Sequence, residues 1–120
     1  MANKLVATGT IAIQDELTSD VKDSFDLAKR VPELTGLTKK SDNSIIINSG
    51  SGVVPLSTGG ASPIKGILVF VSGGKVTLKH NTNTNGAVIS SVFFLIGEIS
   101  TMTVETTEAG DVAVDYIVFG

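Results

Sequence analysis

Three places in this 120-residue chain carry side chains that could do chemistry. His80 is the only histidine, and it continues the line of Val76 and Leu78 in the run Lys75 to His80. One imidazole cannot hold a metal without carboxylate help, and no HxH or HExxH spacing occurs, so His80 reads as a strand-end side chain. Asp15, Glu16, Asp20, Asp23 and Asp26 crowd into a span of twelve residues and offer the hard oxygens that Ca²⁺ prefers, but they lack the spacing and the glycine of an EF-hand. A solvated acidic face is expected there, with no metal. The third place is Asn81 to Asn85, the run NTNTN closed by Gly86. Its amides and hydroxyls suit both sugar hydroxyls and ordinary Asx turns, so Asn81, Asn83 and Asn85 are the candidate binding residues of an exposed recognition loop.

The types that are missing narrow the field further. Without cysteine there is no thiolate nucleophile, no sulfur-ligated zinc and no disulfide, which fits a protein that completes its folding in a reducing compartment. GxSxG is absent, and Gly50-Ser51-Gly52 lacks the third glycine, the following lysine and the strand-to-helix setting of a phosphate loop. Glycosidase-type carboxylate pairs need an enclosed cleft, which a small sandwich with short turns seldom has. The chain is therefore expected not to be an enzyme and to use no cofactor. Carbohydrate modules usually offer an aromatic stacking platform, yet there is no Trp and a single Tyr, Tyr116, within a strand.

Nine Lys plus Arg stand against twelve Asp plus Glu, a net charge of −3, which is the wrong sign for a phosphate backbone and argues against nucleic acid. No run approaches the ~20 apolar residues of a membrane helix, and MANKLVATGT has no apolar h-region, so a protein without membrane span or cleaved leader is expected. Apolar residues make up 42% and charged residues 18%, enough to build a core. The length suits one domain, residues 1–120.

The elements that must position these residues are strands. KLVATGTIAIQ (4–14) alternates with period two and reads as a half-buried strand. Residues 17–31 carry Leu17, Val21, Phe25 and Ala28 at helical spacing, with a rival reading as a strand followed by a helical turn at Leu27 to Leu34; the β neighbours favour the strand. SIIINS (44–49) is a short strand buried on both faces or covered at an edge, and the Gly- and Pro-rich loop after it has a paired stretch near Val53 to Leu56. Ile64 to Val71 and Lys75 to His80 form the predicted central hairpin through a type I′ turn at Gly73-Gly74. Ala87 to Gly97, Ser100 to Thr107 (Met102 and Val104 inward) and Asp111 to Phe119 complete the set. The count predicts an all-β, antiparallel, jelly-roll-like β-sandwich of seven to nine strands, with one short helix at most, in residues 17–34.

GILVFV (66–71), VFFLIG (92–97) and YIVFG (116–120) are apolar on both faces, so something other than water must meet their outer side. Either the chain's own loops cover them or a neighbouring copy does; the second reading is the stronger. It makes Val69, Val71, Phe93, Phe94, Leu95 and Phe119 the expected interface of a homo-oligomer, with a trimer as the expected assembly.

The series SFDLAKRVPELTG, NSIIINSGSG with VVPL, KGILVFVSGGKVTLKHN and closing VDYIVFG resembles small jelly-roll virion proteins of tailed bacteriophages, those that decorate capsids or form the base of head fibres. The resemblance implies an eight-stranded two-sheet sandwich, trimeric assembly, and docking on a shell built of major capsid or other virion protein. The expected function is that of a capsid decoration protein, assembled in the host cytoplasm and located in the virion. The alternative is a carbohydrate- or receptor-binding sandwich that reads glycans through Asn81 to Asn85.

Overall fold

The computed structural model describes residues 2–61 and 63–120 and divides the chain into two compact units, Met1–Leu37 and Thr38–Gly120. Both four-stranded sheets of the expected sandwich lie in the second unit.

The first unit holds β1 (Asn3–Leu5), β2 (Thr10–Gln14), β3 (Val21–Asp26), the one-turn helix α1 (Leu27–Arg30) and β4 (Leu34–Leu37). β1 pairs antiparallel with β4, and β2 with β3. The segment expected as one strand over 4–14 is cut by Gly9, whose φ of 99° sends the chain out of extended conformation. The ambiguous stretch resolves as strand and then helical turn. The Asp26 carboxylate caps α1 by accepting from the Ala28 N–H at 3.0 Å, and Val31 is already back in extended conformation ahead of Pro32. β2 and β3 are exposed along their whole length, where a half-buried strand was expected. A two-stranded ladder has no second layer of its own on which to bury Ile11, Ile13 and Phe25.

In the second unit, β5 (Lys40–Ile47), β6 (Val54–Pro55), β7 (Ile64–Ser72), β8 (Val76–His80), β9 (Ala87–Ile89), β10 (Val92–Ile99), β11 (Met102–Glu105) and β12 (Val112–Phe119) form two four-stranded sheets. Their orders are β10-β7-β12-β5 and β6-β11-β8-β9, with every pairing antiparallel. The pairings are nested: β5 with β12, β6 with β11, β7 with β10, β8 with β9. The chain is thus one long antiparallel hairpin, rolled until β7 meets β12 and β8 meets β11. That winding over eight strands in two sheets is a jelly roll.

Two expectations about connectivity are corrected. Ile64 to Val71 and Lys75 to His80 do not form a hairpin, because β7 and β8 lie in different sheets. Only Gly73 has positive φ, 89°, so the connection is not the type I′ turn that would keep two strands side by side. Instead it lifts the chain across the sandwich. A Cβ at Gly73 would also lie 3.0 Å from the Asp111 carbonyl, so the position is closed to side chains twice over. The single strand expected over 87–97 is likewise two, since the chain changes sheets between Ile89 and Val92.

The core is the space between the sheets. Ile47, Ile67, Val69, Val71, Val112, Val114, Tyr116 and Val118 from one sheet meet Val76, Leu78, Ile89, Met102 and Val104 from the other, with Leu56 from the loop after β6. On β12 the residues Val112, Val114, Tyr116 and Val118 are buried and alternate with less buried neighbours, the period-two signature of a strand with one face in the core. Tyr116 is the largest fully buried side chain, and its phenolic oxygen accepts the Ser57 N–H at 2.8 Å, tying the loop after β6 to the sheet.

Candidate functional site

The surface with the most unusual composition is the outer face of the β10-β7-β12-β5 sheet. The ladders set Val92 beside Phe70 and Phe94 beside Leu68, while Phe70 adjoins Asp115 and Leu68 adjoins Ile117. Since Ile67, Val69 and Val71 point into the core, the residues between them must point out. The outer face therefore carries Leu68, Phe70, Val92, Phe94, Ile96 and Ile117. Val92 is 59% exposed, Phe70 42% and Phe94 40%, and Ile46 at the far edge is 67% exposed. Burying three such residues would contribute about 1.5–3 kcal/mol each, so leaving them in water is costly for an isolated chain.

The parity of the expected interface is corrected here. Val69 and Val71 are core residues, Phe93 and Leu95 are half-buried against the core, and Phe119 is buried. Of the six residues expected to meet a neighbour, only Phe94 lies on the exposed outer face. An alternating pattern would have told the two faces apart, but 66–71 and 92–96 are apolar at consecutive positions, so the sequence carries no parity signal there.

Polar groups on this face gather on β5 and β12, where Lys40, Asp42, Ser44 and Asp115 share the outward parity of Phe70. Ser44 Oγ donates to the Asp115 carboxylate, and with Asp42, Phe70 and Ile117 they line a shallow depression of about 300 Å³. Lys40 and Asp42 form an ion pair at 3.1 Å beside it. Both side chains are well exposed, so the pair adds little stability.

At one end of the sandwich a larger recess, about 580 Å³, is lined by Thr58, Asn81, Glu98, Ser100 and apolar neighbours. Asn81 was expected as a recognition residue, but its side chain is committed within the chain. Its Oδ1 accepts the Ser100 N–H at 2.6 Å and the Ser100 hydroxyl at 3.0 Å, and its Nδ2 donates to the Glu98 carbonyl at 3.0 Å. Its φ of 57° is the left-handed region that Asn tolerates best among side chains with a Cβ. Asn81→Ala should therefore lower stability by about 0.5–1.5 kcal/mol for each hydrogen bond lost at this exposed site, read as a shift in the denaturant midpoint. Asn83 lies 3.4 Å from the His80 ring, a structural contact at the strand end, and Asn85 is exposed.

The acidic cluster forms no metal-ion group among the described residues. Asp15 instead closes a turn, its carboxylate accepting from the N–H groups of Leu17 and Thr18, both at 3.0 Å. The Thr18 bond, then that of Leu17, holds the Asp15 carboxyl below its ordinary value of 3.8. The sign follows: the turn gains from the ionised form above the ordinary value, and loses that contribution as pH falls through the lower folded value.

Comparison with protein-family models, with curated proteins and with solved structures finds no match for this chain. Its class is thus defined by its own topology and surface. It is an all-β protein with an antiparallel jelly-roll sandwich, one sheet of which carries an apolar patch on the outer side of β7 and β10.

Proposed function

We propose that the protein is a structural component of a virus particle, a decoration protein that assembles with copies of itself and docks on the subunits of a shell. The observation that carries this reading is the outer face of the β10-β7-β12-β5 sheet, where Leu68, Phe70, Val92, Phe94, Ile96 and Ile117 form an apolar surface on an otherwise well-ordered sandwich. A monomer working alone in water would gain from polar residues at these positions. The eight-strand jelly roll supports the same reading, since that architecture is common among viral capsid domains. It is also found among lectins, but the glycan-binding alternative loses support because the Asn81 amide, the first of its three recognition groups, already has its partners.

The proposal is tested with bacteriophage shells that lack the protein. Purified full chain should co-sediment with them and raise their resistance to heat or chelator. Shells that pellet without it, at micromolar protein, would contradict the proposal. A glycan array that lights up with the unmodified protein and goes dark for Asn83→Ala with Asn85→Ala would favour the lectin reading instead.

A further inference from the structure

The assembly reading above leaves open how two copies meet, and the edge of the sheet supplies an answer. Among the described residues, β10 is the terminal strand of its sheet, hydrogen-bonded to β7 alone. The Val71 N–H donates to the Ser91 carbonyl at 2.7 Å, so the backbone of Ser91 faces β7. The period-two alternation then turns the backbones of Phe93 and Leu95 toward β7 as well, and directs those of Val92, Phe94 and Ile96 to the open edge. From Val92 to Ile96 the strand has no charge, no proline and no register shift. Exposed edges are usually blunted by such devices, because an open row of N–H and C=O groups is a template for another strand.

We infer that β10 pairs antiparallel with β10 of a second copy about a two-fold axis through Phe94, joining two four-stranded sheets into one of eight strands. This rests on the reading of the protein as a self-assembling one. The register follows from the backbone directions. A two-fold pair of antiparallel strands places one residue opposite its own copy. With outward-facing backbone groups that residue exchanges two hydrogen bonds, and Phe94 is the central one of the three available. Phe94 then faces Phe94, Val92 faces Ile96, and all three outward-facing residues take part in the ladder. On the core side Phe93 falls opposite Leu95. Both are only half-buried because the sheet stops beside them, and an added strand would cover their open flank.

The ends of the ladder are also set. The β10–β7 register shifts between Ile96 and Ile99, and the Asn81 amide occupies the Glu98 carbonyl at 3.0 Å, so pairing stops at Ile96 and keeps the Glu98 carboxylates out of it. The opposite edge strand, β5, offers no equivalent. It has the Lys40–Asp42 ion pair and a run of polar residues over 40–44, the usual protection of an edge. The five-residue ladder is about 17 Å long. Alone it falls short of the roughly 800 Å² per partner of a stable interface. The two outer faces, however, become one continuous apolar platform, which is what a shell subunit would cover. The contact is two-fold, so it gives a dimer or an even-numbered assembly in place of the trimer expected from the sequence.

The absence of cysteine makes the register directly testable on the full chain. In the inferred pairing the Phe94 Cα atoms are about 5.5 Å apart across a hydrogen-bonded pair, within disulfide reach. Two copies of residue 92 are offset by four residues, about 13 Å. Under mild oxidation at micromolar concentration, Phe94→Cys should form covalent dimer at least ten-fold faster than Val92→Cys or Ile46→Cys, while the double variant Val92→Cys with Ile96→Cys cross-links as well as Phe94→Cys. Equal rates for all positions, or no dimer from either of the two favoured variants, would overturn the edge pairing. If the unmodified chain is then still oligomeric, the assembly reading survives; if it has the mass of one chain, both fall.

Discussion

Val69→Lys should leave the protein unfolded or insoluble, while Phe70→Lys, one position further along β7, should fold normally and assemble poorly. Val69 is fully buried between the sheets, opposite Phe93 on one side and Tyr116 on the other. A lysine there would be an unpaired charge in the core, costing several kcal/mol even after relaxation. That is comparable to the whole stability of a domain, roughly 5–15 kcal/mol. Phe70 points out of the sandwich and is exposed in the single chain, so a lysine there keeps its ammonium in water, at a cost of about 1 kcal/mol or less. What it removes is part of the apolar surface on which the proposed docking depends. Circular dichroism melts separate the two variants by folding, and sedimentation separates Phe70→Lys from the unmodified chain by assembly. Equal tolerance at both positions would contradict the placement of β7.

The second large effect is expected at Tyr116. Tyr116→Ala removes the largest fully buried side chain and also leaves the Ser57 N–H without its acceptor. The cavity alone should cost about 3–5 kcal/mol, and the unpaired N–H a further ~1–3 kcal/mol. Tyr116→Phe keeps the ring and loses only the acceptor, so it should show the smaller loss alone. The denaturant midpoints of the two variants measure the ring and the hydroxyl separately. Burial also raises the Tyr116 pKa above its ordinary 10.0, with the Ser57 hydrogen bond pulling weakly the other way. The phenol therefore stays protonated in the folded chain where the unfolded chain would ionise. The stability tied to that difference is intact below pH 10 and declines as pH rises through the folded value. In Tyr116→Phe the alkaline decline should be smaller.

Within the second unit, where the chain alternates, its sequence showed both the element and its inward side, whereas the alternating segment 4–14 is broken at Gly9 and β2 is exposed. Met102 and Val104 on β11, and Val76 and Leu78 on β8, point to the core as their spacing predicts. The last strand, β12, sits inside its sheet, flanked by β5 and β7. Where alternation fails, so does legibility. The apolar runs 66–71 and 92–97 read equally well in either parity, and Val69, Val71, Phe93 and Leu95, expected on the outer side, face the core while their neighbours face out. Gly73-Gly74 looked like a hairpin turn because that signal is local, whereas the move of the chain from one sheet to the other is decided by long-range pairing with β10, β11 and β12. The Asn81 loop was legible as a turn. Its amide bonds to Glu98 and Ser100, which weaken it as a recognition site, join residues about twenty positions apart and leave no pattern in the sequence.

The apolar outer patch of β7 and β10 is proposed to lie against another protein, beginning with a second copy of the chain. The native mass of the unmodified full chain at micromolar concentration, by light scattering or equilibrium sedimentation, tests it most directly. A mass that is a multiple of 12.4 kDa is the expected result. A stable, soluble species of 12.4 kDa would contradict it.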